Sequence, residues 1–200
     1  MKKLLIATSN PGKLFEITHL LKNLPIQLVT PDKLGIDLDV NETGATYDEN
    51  ARLKAAAFMK ASGLASLADD TGLEVDTLDG APGLHSKRYT SKFGATDADR
   101  RNLLLENLEK YPRPWSARFK CSVALALPDG RMQLAQGACE GEIIPEERGT
   151  QGFGYDSLFY FKELGKTMGE LDLADKNRIS HRARAVNNIL FAIENYLKAV

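Results

Sequence analysis

A chain of 200 residues, 43% hydrophobic and 26% charged, has the length and composition of one large globular domain, which excludes a disordered or collagen-like polymer. Twenty-six basic residues against 27 acidic ones leave a formal charge of -1. No global field therefore draws the chain to nucleic acid or to an anionic membrane, and any binding of phosphate must be local.

Met1-Lys2-Lys3 and the apolar run to Ala7 imitate the start of a secretory signal, but the run stops at Asn10-Pro11-Gly12-Lys13. A signal core needs roughly 7–15 apolar residues and a membrane span about 20, so the cytoplasm is the expected address. Leu4 to Ala7 reads as a buried strand. Leu14, Ile17, Leu20, Leu21 and Leu24 then keep helical spacing. Ile26 to Thr30 is a second strand, followed by an acidic loop to Asn41. Thr46 and Glu49 match a capping box ahead of a helix through Met59 that Gly63 ends. Leu64 to Ala68 predicts a strand that delivers Asp69 and Asp70 to a turn at Thr71-Gly72. Gly80 to Gly83 is turn-rich, and Asp97 to Leu108 is helical behind Thr96 as N-cap. Trp115 to Leu127 alternates apolar and polar residues, and Pro128-Asp129-Gly130 returns the chain through Met132 and Leu134, as in a long hairpin. Ser157 to Phe161 is a late strand, and a last helix opens at Ser180 with Ala185, Ile189, Ile193 and Leu197 on one face. No repeat or linker interrupts residues 1–200, so a single α/β domain with a mixed, twisted sheet and helices on both sides is expected. Cys121 and Cys139 fall in strand-like stretches, too few for a disulfide framework, and read as reduced core thiols.

Four constellations could carry chemistry. Thr8-Ser9-Asn10-Pro11-Gly12-Lys13 joins a strand to a helix. Pro11 suits the first turn, and free N–H groups of Gly12 and Lys13 beside the positive end of the helix dipole suit a phosphate. An ordinary helix cap explains the segment equally well, and it has neither the P-loop frame nor the three glycines of a dinucleotide fingerprint. Glu42, Asp69 and Asp70 supply carboxylates for a hard cation. A solvated loop charge is the plainer reading of Glu42, whereas two adjacent acids repel unless solvated, bonded or bridged. His19, His85 and His181 show no zinc spacing with the cysteines. In Gly152-Phe153-Gly154-Tyr155-Asp156, glycines around a ring admit a flat ligand and Asp156 adds an acceptor, though a Gly-rich turn on a core aromatic has the same composition. Lys176 precedes Ser180-His181-Arg182 at a helix start, where positive side chains oppose the macrodipole. An acceptor-rich ligand would resolve that conflict; an exposed first turn is the alternative.

These segments, in this order and together with Glu42-Thr43-Gly44, Glu49-Asn50-Ala51 and Gly80-Ala81-Pro82-Gly83, resemble the inosine triphosphate pyrophosphatase family, also called dITP/XTP or non-canonical purine nucleoside triphosphate pyrophosphatases. The resemblance implies an elongated α/β fold of two lobes with a central cleft, a homodimer, and Mg²⁺-dependent hydrolysis of a nucleoside triphosphate to monophosphate and pyrophosphate, with no nucleic-acid or membrane partner. It places Thr8, Ser9, Asn10, Pro11, Gly12 and Lys13 on the triphosphate, with Lys54 near the phosphates. Glu42 and Asp70 would hold the metal with Asp69 beside them, Asp70 would accept the proton of the attacking water, and Thr71 would touch substrate. Phe153, Gly154, Tyr155, Asp156, Lys176, His181 and Arg182 would form the base pocket. A donor there, Arg182 or a backbone N–H near Phe153, would accept hypoxanthine and xanthine by their 6-oxygen and reject adenine. Tyr47 stands where the family commonly has phenylalanine, and Lys87-Arg88-Tyr89 departs from its usual run. Two other readings keep part of this pattern: a related pyrophosphatase acting on pyrimidine triphosphates, and a nucleotide sensor without turnover.

Overall fold

The computed structural model describes residues 1–198. Seven strands form one sheet: β1 (Lys3–Ile6), β2 (Gln27–Val29), β3 (Ala65–Val75), β4 (Trp115–Ala126), β5 (Met132–Ile143), β6 (Phe159–Phe161) and β7 (Lys166–Thr167), in the order β2-β1-β3-β4-β5-β6-β7. β1 pairs parallel with both β2 and β3, whereas β6 pairs antiparallel with β5 and β7. The sheet is therefore mixed, as expected. Among the described residues five α-helices accompany it: α1 (Pro11–Leu20), α2 (Tyr47–Ser62), α3 (Asp97–Leu108), α4 (Leu173–Ile179) and α5 (His181–Lys198). Among the described residues no helix is long and apolar enough to cross a membrane.

The chain divides into two compact units. The first comprises Met1–Asp70, Cys121–Gly137 and the residues from His181 on; the second comprises Thr71–Lys120 and Ala138–Ser180. In the first unit the two faces of the sheet carry separate cores. Leu4, Ile6, Leu67, Cys121, Val123 and Leu125 pack with Ile17 of α1 and Val186 and Ile189 of α5. Leu5, Ala7, Ala68, Ala124 and Ala126 pack with Ala51, Ala55 and Phe58 of α2. The alternation follows from the two-residue period of a strand, and the small alanines on the second face let α2 lie close. In the second unit, Leu73, Trp115, Phe119, Cys139, Tyr155 and Phe159 surround Leu104 and Leu108 of α3. Both cysteines are buried, and among the described residues neither forms a disulfide.

Local signals set most helix ends. Thr46 Oγ1 accepts from Glu49 N–H, but the Glu49 carboxylate bonds Ala45 N–H, one residue short of the reciprocal bond of a capping box. Thr96 and Asp99 complete such a box at α3. Two departures from the sequence reading bear on the site. β3 does not stop at Ala68: it runs on through Asp69-Asp70-Thr71-Gly72 to Val75, so the acids lie in mid-strand and not in a turn. Turn-forming residue types lose here to burial, since Asp69 and Asp70 are both held inside the first unit by fixed partners. The residue carrying Lys176 also has a helix of its own, α4, capped by Asp172, and Ser180 is the residue that ends it.

Candidate functional site

Because β3 stays extended through the acids, Asp69 and Asp70 point to opposite faces of the sheet. That geometry removes the repulsion expected of neighbouring carboxylates and gives each its own set of cations. Asp69 shares its face with α1 and α5. Its Oδ2 lies 3.1 Å from Lys13 Nζ and accepts a 3.1 Å bond from Arg182 Nε, with the Cys121 thiol donating from 3.9 Å. Arg182, only 1% exposed, extends its Nη1 to Glu16 on α1. Two acids and two bases thus balance inside an apolar core. Burial opposes ionisation of Asp69, but Lys13, Arg182 and Lys54 outweigh it and hold its pKa far below the usual carboxylate range. Burial draws the Lys13 ammonium down despite Asp69.

Asp70 shares its face with α2. Asn50 Nδ2 donates to its Oδ2 at 3.1 Å, and Lys54 Nζ donates to its Oδ1 at 3.4 Å. The same ammonium donates to Glu42 Oε1 at 2.8 Å. Asn50 and Lys54 are four residues apart, hence on one side of α2. The Asn50 carbonyl accepts from Gly44 N–H at 2.8 Å, which fixes the loop that brings Glu42 in. Gly44 is required there because a Cβ would sit 2.6 Å from Glu49 Cβ and 2.7 Å from Asn50 Oδ1. Burial raises the Asp70 pKa, Lys54 and Lys13 oppose it, and the Glu42 charge adds to the rise. For Lys54, burial works downward, but Asp70, Asp69 and Glu42 prevail and its pKa is raised.

The Thr8–Lys13 segment needs correction in one respect. The N–H groups of Gly12 and Lys13 are not free: Asn10 Oδ1 caps both, at 2.9 and 3.1 Å. Asn10 N–H in turn donates to Thr8 Oγ1 at 3.2 Å. The ordinary helix cap accounts for these amides, and the segment's contribution to the acidic cluster is the side chain of Lys13. Ser9 and Pro11 are exposed. Thr71, half-buried, continues β3 in the second unit.

In the second unit, Lys176 Nζ and Asp156 Oδ2 form a buried pair at 2.7 Å. Asp156 Oδ2 also accepts from Phe153 N–H at 2.9 Å, and the Lys176 ammonium lies 5.4 Å from the Phe153 ring centroid. Gly152, at φ +79°, lies so near this pair that a Cβ would approach Asp156 Oδ2 to 2.0 Å. Gly154 N–H donates to Asp97 at 2.8 Å, and the Tyr155 hydroxyl donates to Ser86 C=O at 2.9 Å. Burial, the main cause, raises the Tyr155 pKa.

Both donors suggested for reading the base oxygen are therefore engaged within the protein: the Arg182 guanidinium by Asp69 and Glu16, the Phe153 amide by Asp156. His181 and Arg182 are buried, so the exposed first turn is also excluded. The conflict between Arg182 and the dipole of α5 is met by protein carboxylates rather than by a ligand. Three contributors have no site role in the sequence reading: Glu16, which it does not name, Asn50, which it quotes only within a motif, and Cys121, which it reads only as a core thiol. Glu16 follows Lys13 by three residues, the spacing that puts both on one side of α1.

The fold and cluster define an α/β protein with a mid-strand pair of carboxylates, each backed by its own lysine. The Ham1 family model matches residues 4–192, and the chain belongs to that family. A dITP/XTP pyrophosphatase of Synechocystis sp. is 45% identical over 191 residues, covering 95% of this chain and 94% of its own length. That of Geobacter sulfurreducens is 44% identical over 187 residues, covering 93% and 94%. Among solved structures, a HAM1 protein from Coxiella burnetii matches with a TM-score of 0.87 at 39% identity, over 98% of this chain and 100% of that one.

Proposed function

We propose that this chain is a Mg²⁺-dependent pyrophosphatase that hydrolyses ITP, dITP and XTP to the monophosphate and pyrophosphate, removing deaminated purines from the nucleotide pool. The observation that carries the reading is the division across β3, where Asp70 and Glu42 share the Lys54 ammonium while Asp69 pairs with Lys13. Water attacks the α-phosphorus in line, and Asp70 takes its proton. Lys13 and Lys54 face the negative charge that grows on the departing pyrophosphate. Thr8 to Gly12 hold the triphosphate together with Lys13, and Thr71 touches substrate.

The residues fit Mg²⁺. Glu42 and Asp70 already converge on one cation, the Lys54 ammonium, and both offer only oxygen. Mg²⁺ commonly takes one or two carboxylates and completes its shell with water and substrate phosphate oxygens. When bound, it neutralises charge on the phosphates and orients them. Asp69, first grouped with these ligands, serves in this reading as the support for Lys13, because its Oδ2 is occupied by Lys13 and Arg182.

Phe153 offers a ring face to the base, in a turn shaped by Gly154, Tyr155 and Asp156. In this reading the donor toward the 6-oxygen is the Lys176 ammonium, whose direction Asp156 fixes. Adenine would present an amine to that ammonium and is rejected. His181 and Arg182 act from within the first unit, Arg182 by holding Asp69. The family resemblance adds a homodimer acting on free nucleotides in the cytoplasm.

The test is a substrate panel. With Mg²⁺, ITP and XTP release pyrophosphate with kcat/KM about a hundredfold or more above ATP and dTTP, the scale of discrimination one mismatched polar group supports. Without Mg²⁺, turnover disappears. Release of orthophosphate, a preference for dTTP, or saturable ITP binding with no turnover contradicts the reading.

A further inference from the structure

Asp97 opens α3 and Arg101 follows four residues later, so both side chains lie on one side of the helix. They grip the same residue. Asp97 Oδ2 accepts from Gly154 N–H at 2.8 Å, and Arg101 Nη1 donates to Gly154 C=O at 2.9 Å. These two groups belong to consecutive peptide planes, one on each side of the Gly154 Cα. Gly154 sits at φ +64° with open space where a Cβ would be, so nothing in its own side chain resists rotation of those planes. The restraint comes from α3.

The grip is itself supported. Arg101 Nη2 pairs with Glu147 Oε2 at 2.9 Å, and Glu147 also accepts from Ser157 Oγ at 3.0 Å. Residues before, within and after the Gly152–Asp156 turn are thus tied to one guanidinium. Asp97 is held by Arg100 as well, and its pKa is lowered: burial works against ionisation, and the bonds from Arg100 and Gly154 prevail. All of these groups belong to the second unit. Phe153 and Tyr155 flank the clamped residue, so the direction of the Phe153 ring depends on the same two peptide planes.

We propose that Asp97 and Arg101 are positioning residues for base selection, fixing the Gly154 peptides so that Phe153 and Lys176 present one preformed surface to the base. The proposal rests on the reading of that turn as the base-recognition element. Neither residue needs to touch substrate. A loosened turn must be ordered on binding, and that cost appears in KM and in selectivity rather than in the chemical step.

The experiment compares Asp97→Ala, Arg101→Ala and Phe153→Ala with the parent enzyme, using ITP and ATP with Mg²⁺ and tripolyphosphate as an inhibitor without a base. For the two α3 variants we expect KM for ITP to rise about tenfold, kcat to stay within about twofold, and the ITP-over-ATP ratio of kcat/KM to fall about tenfold, with tripolyphosphate inhibition unchanged. Asp97→Asn, which keeps an acceptor for Gly154 N–H, restores most of the parent values. Arg101→Lys keeps one donor and gives a smaller shift in the same direction, so the proposal stays testable where an alanine variant does not fold. A purely structural role would lower thermal stability and the active fraction without moving KM or the ratio, and that result overturns the proposal. Phe153→Ala separates the premises. If it shifts KM and selectivity while the α3 variants do not, the clamp is wrong and the base site stands. If it shifts neither, the base site itself is wrong and the proposal falls with it.

Discussion

Asp70→Asn is expected to lower turnover of ITP by about a thousandfold or more, within the range that a positioned general base contributes, while leaving the protein as stable as the parent or more so. The first half follows from the proposed proton acceptor: an amide cannot take a proton from water. The second half follows from burial, which raises the Asp70 pKa. A carboxyl whose folded pKa lies above its unfolded value opposes folding when ionised, so at neutral pH a neutral side chain relieves that opposition. The lost bonds to Lys54 and Asn50 work the other way, and the direction of the pKa shift says that burial wins. Pyrophosphate release and urea unfolding measured on the same preparation check both halves. Substantial activity removes Asp70 as the base, and a large loss of stability shows that its role is structural.

The opposite signature is expected on the other face of β3. Arg182→Ala should destabilise the protein by about 3–5 kcal/mol, the usual cost of leaving a buried charge without its partner. It strips the guanidinium from Asp69 and Glu16, both of which lie inside the core of the first unit. The Glu16→Leu/Arg182→Met double variant replaces the pair by apolar volume. It should lose less than the two single variants together, by about 0.5–3 kcal/mol in a double-mutant cycle. Strict additivity of the two substitutions contradicts the network. Its pH dependence has a definite sign. Because the Asp69 pKa is depressed in the folded state, the stabilisation it brings is complete above the unfolded Asp pKa of about 3.9 and is lost as pH falls through the much lower folded value. Asp69→Asn should therefore flatten the stability profile on the acidic side.

The contrast between these two variants shows how much of the site was legible in the chain. Every residue of the acidic cluster except Glu16, Asn50 and Cys121 has a site role in the sequence reading, because carboxylates and lysines next to strand and helix ends carry a chemical signal, whereas Asn50 enters only inside a motif and Cys121 only as a core thiol. What local sequence did not carry was direction. Asp69-Asp70-Thr71-Gly72 has the composition of a turn, and only its partners on both faces keep it extended. Once extended, adjacency in sequence becomes separation onto opposite faces of the sheet, and a pair expected to share one metal is divided between two sets of partners. The partners of Arg182 are hidden in the sequence for a related reason. A cation at a helix start looks like a ligand contact, yet its acceptors arrive from α1 and β3, remote in sequence. The elements with long periodic patterns, α2, α3, β4 and α5, were read nearly to their ends. Seven-residue α4 and two-residue β7 are too short to leave a pattern.

Attack of water on the α-phosphorus in front of Asp70 can be read directly from hydrolysis of ITP in ¹⁸O-labelled water followed by ³¹P NMR of the products. One labelled oxygen is expected in the inosine monophosphate and none in the pyrophosphate. Label in the pyrophosphate, or in released orthophosphate, places the attack on another phosphorus and rules out Asp70 as the base for attack at the α-position.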